Sequence, residues 1–216
     1  MDERHTRAFG KPLITDQAAR AARETANGVR QFDAVKAEIA KAIERRDAYR
    51  LRPSTILGLH RIAVEGIEAS AGQWRNVPVG IEGSRHEPPH ESRVPELMEE
   101  LCDYVNANFK TMSPLDLAAY TLWRICWIHP FSDGNGRTAR AVSYLVLCAA
   151  METQLPGRST IPELIVDNKA PYYQALEAVD ETVDADGDLD LAPMRDYFQA
   201  LFAKQLVDLH KAAKGD

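Results

Sequence analysis

Apolar residues return every three or four positions along most of this chain, the spacing of a helix face rather than of a strand. Over residues 16–49 they stand at Val29, Phe32, Val35, Ile39 and Ile43, with Thr15 or Asp16 ahead of them as a cap. That pattern predicts a long first helix. Arg52-Pro53-Ser54 breaks the chain, and a second helix is expected from about Thr55 to Ala69. Residues 72–92 read differently. Gly72, Pro78, Gly80, Gly83, Pro88 and Pro89 surround an alternation of Val77, Val79 and Ile81, which predicts a short β-hairpin or extended flap. Helix resumes from near Val94 to about Asn108. Ser113-Pro114-Leu115-Asp116 then supplies a cap, a proline for the first helical position and an acid for the first turn. The helix it opens, Leu117 to Ile128, is apolar nearly all round and so buried on most sides. It stops at His129-Pro130, because proline disfavours helical backbone in the residue before it. A second mostly apolar helix follows, from about Asn135 to Glu152, with further helices expected over 161–167, 171–183 and 191–212. The fold class is all-α with one small β element.

Composition narrows the function classes. The chain has 216 residues, 45% hydrophobic and 27% charged, enough to bury one sizeable core, so a single domain over 1–216 is expected. A formal net charge of −6 opposes binding driven by nucleic-acid phosphates. No apolar stretch reaches the roughly 20 residues of a membrane span. The start, MDERHTRAFGK, has no apolar core of a secretory signal. Cys102, Cys126 and Cys148 are odd in number and far apart, as expected of buried thiols in a reducing compartment. These features point to a soluble, cytoplasmic protein with no nucleic-acid or membrane partner.

The two apolar helices are joined by His129-Pro130-Phe131-Ser132-Asp133-Gly134-Asn135-Gly136-Arg137-Thr138-Ala139-Arg140. Gly134 and Gly136 can take positive φ and admit a ligand close to the backbone. The N–H groups of Gly134, Asn135 and Gly136 lie where the next helix opens, and a helix N-terminus is a ready anion site. Arg137 and Arg140, three apart, share one helix face and suit a polyphosphate. Asp133 is a hard oxygen ligand suited to Mg²⁺ bridging phosphates. His129 can take a proton near neutral pH. Base, carboxylate, anion nest and two arginines stand within one short loop.

This segment resembles the signature of the Fic family, His-x-Phe-x-Asp/Glu-Gly-Asn-Gly-Arg-x-x-Arg, at every fixed position. Gly72-Gln73-Trp74-Arg75, Pro88-Pro89, Leu97-Met98, and Tyr172-Tyr173 with Leu176 are also similar to family features. The likeness covers roughly residues 20–205, a family-like core at about 50–205 with the helix 16–49 packed on it. It implies a Fic-type helical domain with a hairpin flap, and a protein adenylyltransferase moving AMP from Mg-ATP to a Ser, Thr or Tyr hydroxyl. On this likeness His129 is the base, Phe131 anchors the loop and Asp133 holds Mg²⁺. Gly134, Asn135 and Gly136 form the anion hole, and Arg137 and Arg140 bind the β- and γ-phosphates. Tyr172 and Tyr173 lie near the adenine, and the protein substrate docks along the flap near residues 77–86 by strand pairing. The signature serves equally for UMP, phosphate or phosphocholine transfer and for removal of AMP. A non-catalytic interaction module is the third reading, and its mark, loss of a loop residue, is absent from the sequence.

Other patterns carry less. His86-Glu87-Pro88-Pro89-His90 spells a zinc-protease string, but its prolines forbid the helix that string requires. Asp184-Ala185-Asp186-Gly187-Asp188 lacks the sixth-position glycine of a calcium loop. His60, inside an apolar helix, is expected to be a satisfied core residue. Many Fic proteins resemble one another in a second motif, Ser/Thr-x-x-x-Glu-Gly/Asn, whose glutamate pairs with the second motif arginine. Here Asn27 of Arg23-Glu24-Thr25-Ala26-Asn27-Gly28 stands in the glutamate's place, with Asp186 a second, weaker echo. Asn27 is expected to face Arg140, leaving autoinhibition weak or supplied by a separate inhibitory protein. The alternative is that Glu24, one turn earlier, does that work.

Overall fold

The computed structural model describes residues 6–7, 13–156, 159–183 and 189–214. Eight α-helices account for most of them: α1 Gln17–Arg45, α2 Pro53–Val64, α3 Val94–Asn108, α4 Pro114–Ile128, α5 Asn135–Ala150, α6 Ile161–Asp167, α7 Lys169–Asp180 and α8 Ala192–Lys214. The all-α reading holds, and the expected helices lie within a few residues of these bounds. The caps also form. Asp16 accepts from the Ala19 N–H and opens α1, and Ser113 accepts from the Asp116 N–H and opens α4 with Pro114 at its first position. Asp184 to Asp188 lie outside the described residues, and Asp186 with them.

The pair α4 and α5 is the centre of the molecule. Leu117, Ala118, Leu122, Trp123 and Ile125 from α4 and Val142, Leu145, Val146 and Leu147 from α5 are all buried. The Ser143 hydroxyl donates to the Ala118 carbonyl at 2.8 Å and pins the two helices together. The helices α1 and α2 pack on α5, α3 packs on α4, and α7 and α8 close the other side. The Trp123 indole N–H donates to Asp180 at 2.7 Å and ties α4 to α7. All eight helices contribute side chains to one buried cluster.

The stripe that α1 turns inward is not wholly the apolar one. Its buried residues are Asn27, Gln31, Val35, Ile39 and Ala42, while Val29 is 62% exposed and Phe32 faces solvent. The amide of Gln31 donates to the Leu59 carbonyl at 3.1 Å, and that of Asn27 to the Glu65 carbonyl at 2.9 Å. Two amides that satisfy carbonyls of α2 thus outcompete two apolar side chains for the interface. Hydrogen bonding inside a helix pair is invisible to a hydrophobic period.

The β element is also built differently from the expected hairpin. Strand β2, Gly80–Ile81, pairs antiparallel with β1, Thr6–Arg7, near the start of the chain, with Thr6 opposite Ile81 and Arg7 opposite Gly80. Past β2 the flap turns at Glu82–Gly83 and runs on without pairing to itself. Among the described residues, no helix is long and apolar enough to cross a membrane.

Candidate active site

His129 sits one residue beyond α4, in left-handed backbone at φ 51° and ψ 59°, its N–H still bonded to the Ile125 carbonyl. Left-handed backbone is costly for a residue with a side chain, by about 1 kcal/mol or more. What it accomplishes is to fold the imidazole back against the last turn, where Nδ1 lies 3.3 Å from the Cys126 carbonyl. A carbonyl can only accept, so Nδ1 carries the proton and Nε2 presents its lone pair. The Thr6 hydroxyl, 2.8 Å away, therefore donates to Nε2. Burial is the main force holding the ring neutral and pushes its pKa down to about 4; the Cys126 carbonyl opposes this, and Arg75 and His86 add to it.

The loop after His129 is braced from three sides. Phe131 is fully buried and stacks face to face on His60, ring centroids 3.6 Å apart, with Trp74 beyond at 5.1 Å. Burying Phe131 stabilises this arrangement by roughly 2–3 kcal/mol. His60 is a satisfied core histidine, as its surroundings in the sequence suggest, and it also has a task. Its Nδ1 accepts from the Gly72 N–H at 3.0 Å, so its Nε2–H donates to the Asp133 carbonyl at 3.0 Å. The Asn135 side chain closes the loop from inside, accepting from the Phe131 N–H and donating to the Phe131 carbonyl. Gly134 has φ +75°, and a Cβ there would stand 2.6 Å from Val64 Cγ1, so no larger residue fits. Gly136 does not take positive φ as the sequence suggested. It lies in α5, where its missing side chain leaves room for the Arg140 guanidinium, 3.1 Å from where a Cβ would be.

Arg75 is the third brace. Its side chain is buried, and it donates to the carbonyls of His129 at 2.8 Å, Val77 at 3.2 Å, Ile128 at 3.4 Å and Pro89. One guanidinium therefore ties the carboxyl end of α4 to both sides of the flap. His86 donates from Nε2 to the Trp127 carbonyl at 2.7 Å, and residues 84–90 form no helix, so the zinc-protease string has none to stand on.

Asp133 and the first turn of α5 form the charged end of the site. Burial alone would raise the Asp133 carboxyl; Arg137, the Gly134 N–H and Arg20 outweigh it and hold the pKa below its ordinary value. The contacts are Arg20 to Oδ2 at 2.6 Å and Arg137 to Oδ1 at 3.2 Å. The carboxylate of Glu24 bonds Arg20 at 3.2 Å and lies 3.6 Å from Arg137. By helix geometry the N–H groups of Asn135, Gly136 and Arg137 have no partner inside α5. Arg140 makes no hydrogen bond or ion pair among the described residues. Asn27 is buried with its amide on α2 carbonyls and does not face Arg140. Glu24, the alternative one turn earlier, stands at the site instead, between Arg20 and Arg137.

These groups share one cavity of about 370 Å³. His129, Thr6 and Ile81 line one part, and Asp133, Gly134, Asn135, Gly136, Arg137, Arg140, Arg20 and Glu24 line another. Tyr172, Tyr173, Leu176, Val166 and Lys169 complete the wall. Tyr172 is almost wholly buried, its hydroxyl 3.0 Å from Cys126 Sγ, whereas Tyr173 is half-buried. Every residue of the loop expected to act is thus brought to one space, with both tyrosines beside it.

Three contributors escape a reading of the sequence, Thr6, Arg20 and the buttressing part of His60, and Arg75 stands there only as part of a family-like string with no task assigned. Arg20 and Glu24, four apart on α1, have the spacing of a helical ion pair, but nothing in the sequence places them beside Asp133. Nothing local marks Thr6, which meets His129 across a sequence separation of 123.

Two buried neutral histidines make stability depend on acid. Burial lowers the His60 pKa to about 4, with Arg137 contributing and the Asp133 carbonyl opposing. Both rings bind protons more weakly folded than unfolded, so their contribution is complete above pH about 6.5 and is lost as pH falls toward 4. Each is expected to remove roughly 3 kcal/mol by pH 4. In urea denaturation, His60→Gln should be less stable than wild type at pH 7 yet lose less between pH 7 and 4.5. Parallel loss in the two proteins would show that His60 is not held neutral.

Residues 50–147 match the sequence pattern of the Fic/DOC family. The chain is 31% identical over 125 residues to protein adenylyltransferase fic-1 of Caenorhabditis elegans, a match covering 56% of this chain and 22% of that protein. This chain thus spans about a quarter of such relatives. Among solved structures, a Fic domain containing signaling protein from Bacteroides thetaiotaomicron superposes with a TM-score of 0.75 at 23% identity, covering 94% of this chain and 77% of that one. An N-terminal Fic domain with bound ADP from Bartonella quintana gives a TM-score of 0.59 at 17% identity over 90% of this chain and 91% of that one. These likenesses show the fold.

Proposed function

The domain at residues 50–147 belongs to the Fic/DOC family, and from that premise we propose that this chain is a protein adenylyltransferase, moving AMP from Mg-ATP to a hydroxyl of a protein. The observation that carries the reading is the orientation of His129. Its Nε2 lone pair faces the cavity that also holds the amino end of α5 and Arg140. A hydroxyl proton drawn to Nε2 leaves an oxygen nucleophile beside a site built for phosphates. The N–H groups of α5 and Arg140 take the phosphate charge, and Arg137 joins them by exchanging Asp133 and Glu24 for phosphate oxygens. Tyr173, Val166 and Leu176 offer the apolar wall for a nucleobase.

The residues present suit one Mg²⁺. Asp133 is ionised and stands at the phosphate end, and Mg²⁺ is commonly held by one carboxylate together with phosphate oxygens and water. When bound, the ion would neutralise charge between the α- and β-phosphates. Because Arg20 holds Oδ2, nucleotide and metal compete with that guanidinium for Asp133. The protein substrate would present its hydroxyl from a segment paired to the flap near residues 77–86, by strand addition to β2.

The test is incubation with labelled ATP, GTP, CTP or UTP and a cell extract, read by mass spectrometry of labelled bands. AMP on protein hydroxyls is expected from ATP, lost with chelator and strongly reduced in Asp133→Ala. Label from UTP in place of ATP would move the reading to a related transfer, and full activity in excess chelator would remove the metal from it.

A further inference from the structure

The edge of β2 and the space before His129 are already filled by this chain's own beginning. The Thr6 hydroxyl stands 2.8 Å from His129 Nε2 and accepts from the Asn135 side-chain amide at 3.3 Å. Strand β1 is held to β2 in the register that puts Thr6 opposite Ile81. Thr6 also lines the same cavity as Asp133, Arg137 and Arg140. A hydroxyl that donates to the base, accepts from a fixed amide and faces the phosphate site has the geometry of an acceptor.

We propose that Thr6 is itself a modification site, nucleotidylated in cis by this same site. The inference rests on the transferase reading above. Thr6 Oγ forms a bond to the α-phosphorus of a nucleoside triphosphate while its proton passes to His129 Nε2. The bond from the α-phosphorus to the oxygen bridging to the β-phosphate breaks, and pyrophosphate leaves with that electron pair. His129 returns its proton to solvent. The product is a Thr6 phosphodiester to the nucleoside 5′-phosphate, with no change of oxidation state. Because β1 occupies the edge on which a protein target would pair, Thr6 is also the first hydroxyl the base meets. A target must displace β1 and bring its own hydroxyl opposite Ile81.

Four measurements on the whole chain as given by its sequence test this. Intact-mass and peptide analysis after incubation with Mg-ATP should find one AMP per chain, located on Thr6. The rate constant should not change over about a hundredfold dilution, because the acceptor is tethered to its site. Thr6→Val should lose that label, and Thr6→Ser should keep it. Without nucleotide, nitrogen NMR of the histidine rings should show the His129 Nε2 resonance shifting in Thr6→Val, which removes its hydrogen-bond donor, with Nδ1 little changed. Label on another residue or on added proteins, with Thr6 unmodified, overturns the inference and leaves the transferase reading standing. A Thr6 labelling rate that rises with protein concentration overturns its cis character. An Nε2 resonance indifferent to Thr6→Val removes the contact on which it stands. No label from any of the four nucleotides overturns the transferase reading and this inference together.

Discussion

Replacing His129 by alanine is expected to lower transfer by about 10²–10⁴-fold, the range for loss of a positioned general base, while nucleotide affinity changes little. The two effects separate because the groups differ. The phosphate end is made by the N–H groups of α5, Arg140, Arg137 and Asp133, none of which touches the imidazole. The proton acceptor is Nε2 alone, made available by the Cys126 carbonyl on the opposite nitrogen. Alanine also vacates a buried ring and keeps a left-handed backbone, so it could disturb the fold. His129→Asn is the control, since asparagine tolerates left-handed backbone better than most residues and has no basic nitrogen. Both variants should bind ATP in calorimetry with near wild-type affinity and transfer about 10²–10⁴-fold more slowly. A variant that labels at the wild-type rate would assign the base elsewhere. One that loses ATP binding would place His129 in the nucleotide site instead.

The central helices and the loop between them were legible because their signals are local. Ser113 and Pro114 announce a helix start, the apolar runs of α4 and α5 announce burial, and Gly134 marks a position where the backbone turns left-handed against Val64. The signature from His129 to Arg140 compresses into one stretch what the fold assembles in one cavity. The failures have a common cause: each depends on a partner distant in sequence. The inward face of α1 is set by α2 carbonyls that hydrogen-bond Asn27 and Gln31, so an apolar period through Val29 and Phe32 misplaced it. The same rotation decides which side chain of α1 reaches the site. With Asn27 turned to α2, the residue three positions earlier, Glu24, faces the cavity together with Arg20. Position in a motif pointed to Asn27, whereas packing brings Glu24 to the cavity. The flap was recognised by its glycines and prolines, but its strand partner is Thr6–Arg7, far off in sequence, and no local pattern names it.

Arg75→Ala is expected to cost about 3–5 kcal/mol of stability, the scale for removing a buried charge with several hydrogen bonds, and to lower transfer as well. The guanidinium reaches carbonyls of Ile128 and His129 at the carboxyl end of α4, and of Val77 and Pro89 on the two sides of the flap. A cation at that end of a helix is favoured by the helix dipole, and here it also answers carbonyls that no helical N–H can reach. With alanine those buried carbonyls lose their donor, and the flap loses its tie to the residue that bears the base. Stability and chemistry should therefore fall together, unlike the outcome at His129. Arg75→Lys keeps the charge but cannot reproduce the planar fork, so it should fall between wild type and alanine. Urea denaturation gives the first quantity. Labelling of protein from ATP gives the second, and hydrogen exchange over residues 77–90 reports the tie to the flap, with faster exchange expected in Arg75→Ala. A loss below about 1 kcal/mol, within the range of ordinary surface substitutions and their neighbours, together with unchanged exchange in the flap, would mean that Arg75 merely fills space there.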